Sequence, residues 1–352
     1  MPDIMEYLRE KKPIIDAAME KYLPRNLGQD YAAWAFGKPR YSYDTDSLRK
    51  SLSEPAWDLL GRGGKRWRPA LFLLISELLG ADSRKLADFV VIPEFIHNGT
   101  LMVDDCEDLG ELRRGKPCTH KIYGQDIAIN TGNFLYFMPL LALREAGIDE
   151  NRRIRAYEAY AQEMINVSVG QALDIWWHKG GASGVTEKHY LQMCAYKTGT
   201  LARLAARLAV ILSGGSGETE RLLGRLAESL GIAFQIQDDV LSASQGEFTR
   251  KKGFGDDITE GKRSLLVIHC LNTAPDAERK ELLDILDKHT RDPRLIQRAL
   301  DILDRNGCID YARDFSRKIV EEAWKEAEPE LPDNPARETL ESLMRFVIER
   351  KI

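Results

Sequence analysis

The chain has 352 residues, 43% of them hydrophobic, and a formal net charge of −5. That length accommodates one large or two small domains with a sizeable core, and the mild negative charge argues against nucleic acid as the main partner. No run of about 18 apolar residues occurs, so no membrane-spanning helix is expected.

The charged stretch from Met1 to Lys12 lacks the apolar segment of a signal peptide. Five scattered cysteines, Cys106, Cys118, Cys194, Cys270 and Cys308, form no CxxC pair. They point to a reducing cytoplasm rather than to a disulfide framework or a zinc site.

Taken in chain order, residues 1–45 read as a loosely packed N-terminal helical extension containing Trp34, Tyr41 and Tyr43. Gly63-Gly64-Lys65-Arg66-Trp67-Arg68-Pro69 then sets three cations behind two glycines at a helix start. Glycines let backbone approach an oxyanion, and N-terminal amides add positive potential. No Walker loop is present. Leu71, Leu74, Ile75, Leu78 and Leu79 follow helical spacing. An apolar lead-in from Phe89 to Val103 runs into Asp104-Asp105-Cys106-Glu107-Asp108, with His97 two turns earlier on the face of Asp104.

Arg113-Arg114-Gly115 follows, and Lys197-Thr198-Gly199 places one lysine inside an apolar helix that continues through Leu201, Leu204, Leu208 and Leu212. The next helical pattern carries Phe234-Gln235-Ile236-Gln237-Asp238-Asp239. A loop from Arg250 to Lys262 has cations at both ends and reads as a lid or a plain charged loop. The remainder is helical, and the last helix ends at Arg350-Lys351. Long alternating strand patterns are absent, so an all-α fold is expected. The glycine-rich breaks are too short to be domain linkers.

The two acidic clusters carry the chemistry. Asp104 and Asp108 are one helical turn apart, where like charges repel. A hard divalent cation reverses that penalty, and magnesium takes one or two carboxylates plus phosphate oxygens. With Asp238 and Asp239 they read as two walls holding metal and a polyanion, against the plain alternative of solvated helix ends. Paired guanidiniums such as Arg113 and Arg114 suit bidentate phosphate contacts.

The order GGKRWRP, HNGTLMVDDCED, RRGKP, GQALD, KTGTL, FQIQDDVLS and GDDITEGK, from Gly63 to Lys262, resembles the trans-isoprenyl diphosphate synthases of the farnesyl and geranylgeranyl group. The resemblance implies one all-α domain of the isoprenoid synthase type over residues 1–352, with helices around a central cavity. It implies Asp104, Asp108 and Asp238 as magnesium ligands, supported by Asp105 and Asp239, with three ions per site. Arg113, Lys197, Lys252 and Lys262 would bind the allylic diphosphate. Gly64, Lys65, Arg68, His97 and Arg114 would bind isopentenyl diphosphate. Lys197, Thr198 and Gln235 would face the allylic carbocation, and Arg350 and Lys351 would form a basic tail over the site. A cytoplasmic homodimer with no nucleic-acid partner is also implied.

One departure stands out. Ser242 replaces the third carboxylate of the second motif, which implies weaker binding of one metal rather than loss of activity. Product length is read from Gly99 and Thr100, the positions before the first motif where related enzymes carry capping aromatics. Both are small, so the product is expected to be C20 or longer unless Phe134, Tyr136 or Phe137 makes the floor. On that reading, phenylalanine at Gly99 shortens the product. The alternatives are a C15 farnesyl diphosphate synthase, a non-catalytic regulatory subunit, and a cyclase or head-to-head condensing enzyme on the same fold.

Overall fold

The computed structural model describes residues 3–145, 147–181, 184–243 and 255–349. Apart from the two-residue strands β1 (Leu112–Arg113) and β2 (Lys116–Pro117), paired antiparallel, the described regular structure is helical, as expected. The first helices are α1 (Ile4–Tyr22), α2 (Gln29–Phe36), α3 (Thr45–Leu48), α4 (Glu54–Leu60), α5 (Trp67–Leu78), α6 (Val91–Glu107), α7 (Thr119–Tyr123), α8 (Gln125–Phe137) and α9 (Leu141–Glu145). Then come α10 (Glu150–Trp176), α11 (Glu187–Cys194), α12 (Thr200–Ser213) and α13 (Gly217–Ala243). The last are α14 (Asp256–Thr259), α15 (Leu265–Thr273), α16 (Asp276–Leu286), α17 (Pro293–Arg305), α18 (Cys308–Ala327) and α19 (Pro335–Ile348).

The chain divides into two compact units. The first comprises Met1–Glu158, Leu208–Ser216 and Asn334–Leu340, and the second Ala159–Arg207, Gly217–Asp333 and Glu341–Ile352. In the first unit, α5 is buried almost all round, from Trp67 through Leu78, the behaviour of a helix with no polar face. The N-terminal layer departs from expectation. Ile4, Leu8, Ile15, Met19 and Tyr22 of α1 are buried, and Lys11 pairs with Glu77 at 2.8 Å. A helical stripe of apolar residues seats α1 in the core, so it is not loosely attached.

Helices α6 and α8 cross where two glycines meet. A Cβ on Gly99 would lie 2.7 Å from the Gly132 carbonyl oxygen, and one on Gly132 would lie 2.7 Å from Val103 Cγ2. Only side chains without a Cβ allow that approach.

The second unit packs Cys194, Ile236, Val240, Leu265, Leu266, Leu282, Leu286, Ile302 and Leu303 into one core. Between α11 and α12 the chain makes a π-helical turn, Ala195–Gly199, a feature frequent at functional sites. Two glycines hold it. A Cβ on Gly170 would lie 2.3 Å from the Lys197 amide nitrogen, and one on Gly231 would lie 2.5 Å from Gly199 Cα.

Candidate active site

In the first unit the basic loop before α5 depends on unusual backbone: φ is 90° at Gly63, 125° at Gly64 and 50° at Arg66. This conformation turns the Arg66 guanidinium inward, where it pairs with Glu94 and donates to the Leu60 carbonyl at 2.7 Å. Asn98 donates to the same Glu94 carboxylate at 2.7 Å. Arg114 is tied to the loop from the other side. Its Nη1 donates to the Gly63 carbonyl at 2.8 Å and to Asn98 Oδ1 at 3.3 Å.

Arg68 is buried and Lys65 exposed. Burial pushes the His97 imidazole well below its ordinary range, and Arg68, Arg114, Arg113 and Arg66 push it further. These cations around a neutral imidazole form a setting that favours a polyanion.

The first acidic cluster splits by role. Asp104 and Asp108 are partly exposed at the end of α6, linked by the Asp108 amide to the Asp104 carbonyl at 2.9 Å. Asp105 is 2% exposed. It accepts from Arg113 Nε at 2.8 Å, while Arg113 Nη2 lies 3.6 Å from Asp104. The Cys118 thiol is pushed up to about 12, by burial first and then by Asp105. Asp105 therefore anchors the β1–β2 hairpin and aims Arg113, while Asp104 and Asp108 keep partly exposed carboxylates one turn apart. Their all-oxygen donor set fits magnesium, which draws its remaining ligands from water and phosphate. Among the described residues no cluster of three His, Cys, Asp or Glu side chains forms a ready-made metal cage.

The expected chain-length positions lie on α6. The Thr100 hydroxyl donates to the His97 carbonyl at 2.8 Å. Gly99 is buried against α8, and Tyr136 Cε1 would lie 3.1 Å from a Cβ there. Phenylalanine at Gly99 would strike the α8 backbone, so it is expected to lower the melting temperature rather than shorten the product. Overpacking of this kind costs about 1–3 kcal/mol or more, which a thermal melt would read.

In the second unit, Lys197 Nζ lies 2.5 Å from Asp174 Oδ2. The Thr198 hydroxyl donates to Gln235 Oε1 at 2.9 Å, and Gln235 Nε2 donates to Asp239 Oδ1 at 2.9 Å. Asp239 is buried, and its carboxyl is raised by burial and then by Asp257, while hydrogen bonds from Tyr190 and Gln235 oppose the rise. Asp238 is partly exposed on the same helix, one turn before the buried Ser242. Lys262 Nζ reaches Glu260 at 2.6 Å and Asp257 at 3.3 Å. Lys252, Arg350 and Lys351 lie outside the described residues.

Three residues that hold these side chains, Asp174, Glu94 and Tyr190, have no role that the sequence alone marks. Asp174 was legible in principle, because it closes the GQALD motif. Glu94 lies in the apolar stretch before the first acidic cluster and Tyr190 in the mixed segment Glu187–Cys194, and neither belongs to a motif.

An all-helical protein with this aspartate pair, aimed arginine and basic loop is built for chemistry on diphosphates. The chain belongs to the polyprenyl synthetase family, the trans-isoprenyl diphosphate synthases, whose model matches residues 49–303. It is 33% identical over 307 residues to a short chain isoprenyl diphosphate synthase of Methanothermobacter thermautotrophicus, covering 87% of this chain and 93% of that one. It is 34% identical to a geranylfarnesyl diphosphate synthase of Aeropyrum pernix, covering 85% and 94%. The crystal structure of geranylgeranyl pyrophosphate synthetase from Pyrococcus horikoshii superposes with a TM-score of 0.85 at 31% identity, covering 99% and 98%.

Proposed function

We propose that this prenyltransferase joins isopentenyl diphosphate head to tail to an allylic diphosphate, whether dimethylallyl, geranyl or farnesyl. The product is a trans-prenyl diphosphate of C20 or longer, and diphosphate is released. One observation carries the reading: Asp104 and Asp108 lie partly exposed one turn apart at the end of α6, while the buried Asp105 beside them accepts from Arg113. The relatives that make C20 and C25 products support it. So does the family match, which takes in residues of both units and supports one catalytic domain.

Three magnesium ions, held by Asp104, Asp108 and Asp238, would neutralise charge on the leaving diphosphate. Arg113, Lys197, Lys252 and Lys262 bind that diphosphate. Gly64, Lys65, Arg68, His97 and Arg114 bind isopentenyl diphosphate. The allylic C–O bond breaks with its electron pair going to the diphosphate. Dipoles of Lys197, Thr198 and Gln235 face the resulting cation. The isopentenyl double bond attacks the allylic carbon, and the proton then lost passes to the departed diphosphate. Holding both substrates together supplies much of the rate.

Tyr136 is the floor candidate that the packing favours, because it lies against Gly99 whereas Phe137 is 66% exposed. From dimethylallyl and isopentenyl diphosphates the wild-type product is expected to be C20 or longer, and Tyr136→Ala should lengthen it by at least one five-carbon unit. Chromatography of the products checks both, and wild-type termination at C15 would refute the length assignment.

A homodimer is also proposed. Ile129 and Phe137 leave α8 as an exposed apolar stripe, and Ile165, Val169 and the 66% exposed Trp176 do the same on α10. Apolar faces of this kind mark interaction surfaces. Sedimentation is expected to show a dimer that Phe137→Glu weakens. A cytoplasmic location fits five buried, unbridged cysteines. No described helix is long and apolar enough to cross a membrane.

A further inference from the structure

A hydrogen-bonded chain runs behind the cation-facing dipoles. The Tyr190 hydroxyl of α11 donates to Asp239 Oδ2 at 2.7 Å. Gln235 Nε2 donates to Asp239 Oδ1 at 2.9 Å, and the Thr198 hydroxyl donates to Gln235 Oε1 at 2.9 Å. The far end is closed off: Tyr190 is 1% exposed, and Asp239 is buried. All four residues belong to the second unit.

The polarity of this chain follows from its contacts. With the Gln235 NH2 on Asp239 Oδ1, which accepts, the amide carbonyl is turned toward the Thr198 hydroxyl. The Thr198 hydrogen is thereby committed to Gln235, and the Thr198 oxygen can present only lone pairs to anything else. That is the orientation a carbocation needs, and it is in place before the reaction begins. Tyr190 saturates the second carboxylate oxygen and holds Asp239 in register. Tyr190 and Asp239 need touch no substrate to do this.

We propose that Tyr190 and Asp239 are positioning residues that set the dipole direction of Gln235 and Thr198 toward the allylic cation. The inference rests on the proposed role of Thr198 and Gln235. Asp239→Asn makes a sharper case than Tyr190→Phe. An asparagine that keeps its carbonyl toward Tyr190 would turn its NH2 against the Gln235 NH2. The Gln235 amide would then invert, and Thr198 would point its hydrogen at the cation.

The test compares two analogues of the allylic diphosphate on the magnesium-loaded enzyme. One carries an ammonium nitrogen in place of the cationic carbon. The other is an uncharged-chain thiolo diphosphate whose C–S bond resists cleavage. Tyr190→Phe is expected to weaken the ammonium analogue about tenfold and the thiolo analogue less than about twofold. Asp239→Asn should weaken the ammonium analogue further, and by more than it weakens the thiolo analogue. In turnover, kcat should fall while KM for both substrates holds.

Equal weakening of both analogues, or of neither, would overturn the proposal. Thr198→Val separates the two layers. If it leaves ammonium binding intact, the assignment of Thr198 fails and this inference fails with it. If it weakens ammonium binding and the Tyr190 and Asp239 variants do not, only the positioning chain is wrong. Should Tyr190→Phe fail to fold in a thermal melt, the Asp239→Asn comparison decides.

Discussion

If Asp104 and Asp238 hold magnesium as proposed, replacing either with alanine is expected to lower kcat by about a thousandfold or more, because a metal-held charge would stabilise the departing diphosphate by several kcal/mol. Asp104 sits with Asp108 on the accessible end of α6, one turn apart, and Asp238 is accessible on α13. Ser242→Ala should change kcat by less than about tenfold, since the serine is buried and offers no charge to a metal.

Asp105→Ala should fall between the two limits and act differently. It frees Arg113 from its anchor, so KM for the allylic substrate should rise more than kcat falls. Steady-state kinetics with a magnesium titration of each variant decides the matter. Equal losses at Asp238 and Ser242 would sink the ligand assignment.

The largest expected effect on stability is at Glu163, which belongs to none of the motifs but accepts from Thr200 of KTGTL. It is 1% exposed and accepts from Arg203 Nε at 2.8 Å, Arg207 Nη1 at 3.0 Å and Asn166 Nδ2 at 3.1 Å, as well as from Thr200. Arg203 and Arg207 go on to pair with Glu228 and Glu220. Removing the shared carboxylate leaves two guanidiniums short of their counter-charge. Glu163→Ala should cost about 3–5 kcal/mol, read as a drop in the denaturant midpoint. Thr200 opens α12 directly after the π-helical turn that carries Lys197 and Thr198, so a loosened network should also lower kcat in whatever protein still folds.

The pH dependence has a definite sign. Burial alone would raise the Glu163 carboxyl, but hydrogen bonds and charge from Arg203 and the hydrogen bonds of Thr200 and Arg207 hold it below its ordinary value. A depressed carboxylate contributes its full stabilisation above the unfolded pKa of about 4.3 and loses it as pH falls through the folded value. Acid unfolding of the wild type should therefore be steeper than that of Glu163→Gln.

Much of this protein is legible in its sequence. Leu71, Leu74, Ile75 and Leu78 declare a buried helix by spacing alone, and α5 is that helix. The diphosphate motifs were legible because their chemistry needs particular residue types at short range: two aspartates one turn apart, two adjacent arginines, glycines where backbone must turn. Where a reading failed, partners distant in sequence were the reason. Gly99 looked like open space in a cavity because a missing side chain reads the same way whether a substrate or another helix fills the gap. Its neighbour is Gly132 on α8. The N-terminal layer looked loose because its charges dominate the composition, while its apolar stripe is sparse.

Local order along the chain was enough to specify helices and the paired carboxylates and guanidiniums suited to a metal and a polyanion, since each depends on residues within a turn or two of one another; the reaction class came from the resemblance carried by the ordered motifs. Tertiary packing decided which carboxylate does what. Asp104 and Asp105 are chemically identical neighbours, and helical geometry sends one to the open end of α6 and the other into contact with Arg113. Asp238 and Asp239 divide in the same way, the second drawn inward by Tyr190 and Gln235. Successive residues on a helix point about 100° apart, so in each pair only one can face outward. The buried partner is then held by whatever donors the fold brings to it, from as far along the chain as Tyr190 is from Asp239.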